Sequence, residues 1–134
     1  MAVGIVIVSH SARLAEGVAE LAGQMSMGEV TIAVAGGTDD GSIGTSIDKV
    51  AAALQKASSP DGTLVLLDLG SAVMITEMAL EMLDAQEKER VIISTAPLVE
   101  GAVLAAVEAS AGSTLQEVAE AANNGHDMPK GHQA

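Results

Sequence analysis

Apolar residues along this chain fall into short solid runs, separated by longer stretches with a three-to-four-residue rhythm. The first run, Val3–Val8, has no polar interruption and is dominated by β-branched residues. That pattern predicts a parallel strand buried on both faces. Leu14, Val18, Leu21, Ala22 and Met25 then recur at helical spacing. A second run, Val30–Ala35, leads into a Gly/Asp/Thr/Ser loop. Ile43, Ile47, Val50 and Leu54 predict the next helix, with Thr45 and Asp48 as a capping box near its start. After a Ser/Pro/Asp/Gly turn at 58–62, the third strand is Thr63–Leu67, followed by a helix from about Ala72 to Asp84. On that helix Met74, Met78 and Met82 form a stripe, with Thr76, Glu77 and Glu81 expected outward. The fourth strand, Val91–Thr95, is ended by Ala96 and Pro97, and a helix runs from about Val99 to Ala109. The last helix starts at Ser113, where Ser113 and Gln116 repeat the capping pattern, and stops near Asn123.

Strands alternating with helices across short connections imply the α/β class: an open parallel four-stranded sheet with helices on both faces. In the common 2-1-3-4 strand order the chain reverses direction between strands one and three. That crevice is where such sheets bind ligands. Residues 1–122 are expected to form a single domain, with 123–134 a flexible C-terminal tail.

Composition narrows the function. Asp and Glu number 18 against 6 Lys and Arg, a net charge of -12, and Phe, Tyr and Trp are absent. Nucleic-acid binding needs the opposite charge and uses aromatic stacking, so it is not expected. An acidic surface fits a basic protein partner. Every apolar run is interrupted long before the roughly 18 residues of a membrane span, so no membrane insertion is expected. Without cysteine there is neither disulfide nor thiolate chemistry, which fits a cytoplasmic protein.

The chemistry gathers behind three strand ends: Ser9-His10-Ser11, the Gly36–Ser46 loop, and Asp68-Leu69-Gly70-Ser71. His10 follows a buried strand and is the one histidine outside the tail. A carboxylate such as Asp68 on one ring nitrogen would fix the tautomer and leave the other lone pair outward, as a base or nucleophile. The plainer reading is a histidine that caps the strand and an aspartate that caps a helix. Gly70, with Ser71, permits close approach to an anion at a helix start. The Gly36–Ser46 loop matches neither a Walker A motif nor a dinucleotide fingerprint. Its Gly37 and Thr38 amides are candidates for binding a phosphoryl group. Asp39 and Asp40 are adjacent and cannot easily both face one ion, so no metal is expected there.

Taken in order, Ser-His-Ser, Gly-Gly-Thr-Asp-Asp-Gly-Ser-Ile-Gly-Thr-Ser and Leu-Asp-Leu-Gly-Ser-Ala resemble the phosphocarrier subunits of phosphoenolpyruvate-dependent dihydroxyacetone kinases. These are a branch of the mannose-type EIIA family of the sugar phosphotransferase system, and the resemblance spans about residues 2–122. It implies that His10 accepts a phosphoryl group from the phosphohistidine of the HPr carrier. It further implies delivery to ADP on the nucleotide-binding subunit of the kinase, with Asp68 orienting His10. Nucleotide would be held by that partner, with no cofactor bound permanently here. On the same reading Ser9, Ser11, Gly37, Thr38, Gly70 and Ser71 surround the phosphoryl group. Asp39, Asp40, Met74, Pro97 and Leu98 form the docking rim. No strand follows Ser113, so a strand-exchanged dimer is not expected, and a homodimer would use the methionine-bearing helix. HPr-like and enzyme I-like activities are expected on separate proteins. A sugar-transport EIIA component and a non-catalytic regulatory module are the alternatives. A receiver-like domain phosphorylated on Asp68 fails for want of an acidic pair after strand one and a lysine after a fifth strand.

Overall fold

The computed structural model describes residues 2–132, so Met1 and the last two positions of the 123–134 segment lie outside it. Four parallel strands, β1 (Gly4–Ser9), β2 (Ile32–Gly36), β3 (Thr63–Leu67) and β4 (Val91–Ile93), form one sheet in the order β2-β1-β3-β4. The expected order is therefore the observed one. The helices are α1 (Ala12–Met25), α2 (Ile47–Lys56), α3 (Ala72–Leu80), α4 (Ala85–Glu89), α5 (Leu98–Ser110) and α6 (Leu115–Asn123), and a 3₁₀ turn covers Asn124–Asp127.

The solid apolar runs divide between two cores. Ile5, Ile7, Leu64 and Leu66 point to one face, under α1, α5 and α6. Val6, Val8, Val65 and Leu67 point to the other, under α2 and α3. Both faces are covered, so neither central strand needs a polar alternate. Each fully buried aliphatic side chain of this kind contributes about 1.5–3 kcal/mol.

Several local expectations are corrected. In α1 the inward residues are Ala15, Val18 and Ala22, while Leu14, Leu21 and Met25 are about half exposed. Small inward residues let the helix axis lie close to the sheet, which rotates the larger ones outward. Ile43 is 76% exposed on a loop, because α2 begins later, with Ser46 and not Thr45 accepting from Lys49 N at its N-terminus. Strand β4 stops at Ile93, two residues short of Thr95. The helix expected to reach Asp84 ends at Leu80, and Asp84 caps the separate α4. Thr76, expected outward, is buried, its hydroxyl donating to Ala72 O at 2.8 Å. At α6 the cap is Thr114 with Glu117, one residue beyond Ser113 and Gln116, which lack the reciprocal bonds.

Register carries the site. Val8 pairs with Leu67 and Ser9 with Gly36. His10 must therefore leave the sheet beside Asp68 on one side and Gly37 on the other.

Candidate functional site

At the C-terminal ends of β1 and β3, backbone and side chains converge on one carboxylate. Asp68 Oδ2 accepts the His10 backbone N–H at 2.9 Å and the Ser9 hydroxyl at 3.0 Å. Its Oδ1 accepts the Leu69 N–H at 2.7 Å and lies 3.0 Å from His10 Nδ1. Burial opposes charge on Asp68. The hydrogen bonds from the His10 N–H, the His10 ring and the Ser9 hydroxyl outweigh it and hold the carboxyl below its ordinary value. An ionised carboxylate only accepts, so in this arrangement His10 Nδ1 carries the ring proton. The lone pair of the neutral imidazole is then on Nε2.

Ser71 lies on the Nε2 side, with its Oγ at 3.1 Å. It occupies the N-cap position of α3 without making a side-chain cap bond. Its hydroxyl is therefore available to the imidazole rather than engaged by its own helix. Ring and carboxylate differ in exposure, 24% for the His10 side chain against 11% for Asp68. The carboxylate that orients is thus the more withdrawn of the two, and the ring is the more open to solvent.

The glycine-containing loop is hooked to the same segment by main-chain bonds. Gly37 N donates to Ser9 O at 3.2 Å and Gly44 N to His10 O at 2.9 Å. Gly37 turns the chain with a φ of 74°, in the region glycine favours. Gly36 lies so close to α1 that a Cβ would fall 2.6 Å from Ala12 Cα. Thr38 donates through its N–H to Ser42 O at 2.9 Å and through its hydroxyl to Asp40 Oδ1 at 2.6 Å. The bonds from Thr38 and Ser42 lower Asp40 to about 2. Asp39 accepts from the Ser46 hydroxyl at 2.5 Å.

Of the residues singled out in the sequence, the fold brings His10, Asp68 and Ser71 together directly. Ser9 is fully buried, and its hydroxyl is engaged by Asp68 and by the Ser11 N–H, which it accepts at 3.0 Å. It stands behind the carboxylate instead of beside Nε2. Ser11 caps α1 by accepting from Leu14 N at 3.2 Å. The Gly37 and Thr38 amides are taken up within the loop and its hook. Gly70 is exposed, and a Cβ there would meet nothing within 4 Å. Met74 is 70% exposed, one turn after Ser71. Asp39 and Asp40 are exposed on the loop. Pro97 and Leu98 are half-buried at the start of α5, Leu98 against the core. They follow β4, which lies two strands, or about 10 Å, from β1. Sequence reasoning missed Gly44 and Leu69, whose main-chain donors complete the site. Both are ordinary loop residues until strand register places them. Ile43 and Leu69 are 76% and 60% exposed on the loops that follow β2 and β3.

A family model described as EIIA-man, PTS system fructose IIA component, matches residues 4–119. Among curated relatives, a protein of Klebsiella michiganensis named PEP-dependent dihydroxyacetone kinase, phosphoryl donor subunit DhaM, is 46% identical over 125 residues. That match covers 91% of this chain but 26% of the relative, so the chain spans about a quarter of that protein's length. A Listeria innocua protein named PEP-dependent dihydroxyacetone kinase 2, phosphoryl donor subunit DhaM, is 36% identical, with 92% of this chain and 99% of the relative covered. Among solved structures, that of a protein of unknown function, EF1359, superposes with a TM-score of 0.82 at 37% identity, covering 92% of this chain and 95% of the other. The sheet order, the strand-end histidine and these matches agree, and the chain belongs to the EIIA-man family.

Proposed function

We propose that this chain is a phosphoryl carrier that serves a phosphoenolpyruvate-dependent dihydroxyacetone kinase, with His10 as the carrier residue. The observation that carries the reading is the His10 ring held at Nδ1 by an ionised Asp68, which leaves Nε2, 3.1 Å from Ser71 Oγ, as the nitrogen with the lone pair. Support for the downstream acceptor comes from the names of the relatives, which favour it over a sugar-transport component or a purely regulatory module.

The step balances simply. The Nε2 lone pair attacks the phosphorus of phospho-HPr, the new N–P bond forms, and the donor's N–P bond breaks with its electron pair returning to the donor imidazole. The Nδ1 proton stays on the bond to Asp68, which stabilises the cationic character of the phosphorylated ring. The Ser71 hydroxyl, now without its lone-pair acceptor, turns to a phosphoryl oxygen. In the second half, a terminal oxygen of ADP attacks phosphorus and the N–P electrons return to Nε2. Nucleotide is held by the partner subunit and this chain carries no cofactor of its own. Transfer of this kind asks the protein for in-line positioning and charge stabilisation. The acidic loop with Asp39 and Asp40, Met74, and the Pro97-Leu98 corner receive the two partners in turn. A second copy of the chain packs on the end of α3 through Met78 and, in the turn just beyond the helix, Met82, which are 51% and 56% exposed. The described residues contain no helix long and apolar enough to cross a membrane, and a cytoplasmic location fits the proposed partners.

The direct test is incubation with phosphoenolpyruvate, enzyme I and HPr, followed by intact mass. One added phosphoryl group that is acid-labile, base-stable and lost in His10→Ala is the expected result. No incorporation, with both helper proteins active on another substrate, would overturn the carrier role.

A further inference from the structure

Arg13 is conspicuous by what it does not touch. The chain has 6 cationic side chains among 18 acidic ones. Lys88 pairs with Glu81 and Lys130 with Glu100. Lys49 Nζ donates to Gly36 O at 3.1 Å, and Arg90 lies in the field of Asp84 and Glu87. Arg13 and Lys56, by contrast, make no hydrogen bond or ion pair with the described residues. Lys56 ends α2, at the rim remote from His10. Arg13 stands in the first turn of α1, three residues after His10, where the helix dipole disfavours a cation and no acidic residue offsets it. Its position is unhelpful to the helix and unused by the fold.

Arg13 also lines a cleft of about 370 Å³, together with Ser11, Ala12, Gly41, Ser42 and Ile43. The far wall belongs to the loop that is hooked to His10 through Gly44 N, so the cleft opens on the same rim as the imidazole. Ser11 Oγ accepts from Leu14 N, which leaves its O–H proton to donate. A guanidinium fork with a hydroxyl donor suits a phosphate group, which it can bind bidentately. On a surface carrying a net charge of -12, an approaching phosphate is otherwise repelled.

We propose that the Arg13 cleft is a phosphate-binding subsite beside His10. Two sources offer that chemistry: the phosphoryl group carried on His10, or the diphosphate of the nucleotide brought by the acceptor. The choice of source rests on the transfer reaction proposed above, whereas binding of phosphate at the cleft does not.

The first arm is an NMR titration of the full chain with inorganic pyrophosphate at constant ionic strength, for wild type, Arg13→Gln, Arg13→Lys and Lys56→Gln. Saturable shifts at Ser11–Arg13 and Gly41–Ile43 are expected. Affinity should fall about tenfold in Arg13→Gln, the size of one charge-assisted hydrogen bond. Arg13→Lys should fall between, and Lys56→Gln should match wild type. Absence of saturable shifts, an unchanged affinity in Arg13→Gln, or an equal loss in Lys56→Gln would each overturn the site. The same spectra show whether each variant is folded. The second arm measures phosphoryl uptake from the phosphorylated donor and ATP formation from ADP separately in Arg13→Gln. Slower uptake identifies the phosphoryl group on His10, and slower ATP formation alone identifies the nucleotide. If both rates equal wild type, the subsite has no part in transfer and the proposal fails. A chain that takes up no phosphoryl group even as wild type removes the carrier reading, while the pyrophosphate titration still decides the cleft.

Discussion

At the scale of single residues, the site depends on one carboxylate holding one tautomer. Asp68→Asn keeps the shape but can present an amide donor to Nδ1, which no longer requires the proton to be there. Phosphoryl uptake is expected to fall about 10- to 100-fold, the usual effect of losing a group that orients a functional imidazole, and quench-flow transfer from phospho-HPr measures it. Ser71→Ala removes one neutral hydrogen bond, about 1 kcal/mol, so a loss of about fivefold in the same assay is expected. The depressed Asp68 carboxyl also makes stability depend on pH. Its folded value lies below its unfolded value of about 4, so the unfolded chain binds more protons between the two. The stabilising contribution is complete above the unfolded value and is lost as pH falls through the folded one. Urea unfolding of wild type and Asp68→Asn should show a stability gap that is constant near neutrality and narrows only below about pH 4. A gap that widened with acidification would contradict the assignment. His10 and Asp68 were both legible as chemistry because a polar residue closes a solid apolar run. The role of Ser9 was not. Whether a hydroxyl beside a histidine meets a ligand or a carboxylate is decided by a residue 59 positions away.

At the scale of elements, the close approach of α1 to β2 holds the loop and the histidine in one frame. Gly36→Ala would place a Cβ 2.6 Å from Ala12 Cα and 2.8 Å from Ser11 O, both backbone atoms. A cost of about 1–3 kcal/mol is expected, as for other overpacked sites, along with slower phosphoryl uptake because Ser11 and Ala12 must shift. Gly17→Ala is the contrasting case. A Cβ there meets nothing within 4 Å in the interior of α1, so about 0.5–1 kcal/mol of added stability is expected from helix propensity alone. Thermal unfolding of the two variants reads both signs. Element existence was largely visible in the periodicity, whereas element ends were less so. Ser46 and Thr114 each cap a helix beside another residue that could have done so in sequence. The choice between neighbours depends on which backbone N–H groups the sheet leaves uncovered.

At the scale of the whole molecule, the proposed homodimer would bury Met78, on α3, and Met82, just beyond it, which are 51% and 56% exposed. Sedimentation equilibrium should report twice the mass of one chain, and Met78→Glu with Met82→Glu should return it to one, because two carboxylates would be desolvated in the interface. A monomeric wild type would remove α3 from that role. The sequence by itself determined the class of the fold, since runs without alternation demand a sheet covered on both faces. It also placed a histidine, a glycine-containing loop and an aspartate at consecutive strand ends, because connections after parallel strands emerge on one rim. Only the tertiary structure decided which nitrogen of His10 is presented, that Ser9 supports the carboxylate, that the loop amides are already engaged, and that the Arg13 side chain is left unpaired among the described residues. Periodicity reports which face of an element is buried. Hydrogen bonds between strand ends depend instead on register to within one residue and on directions that no one-dimensional pattern contains.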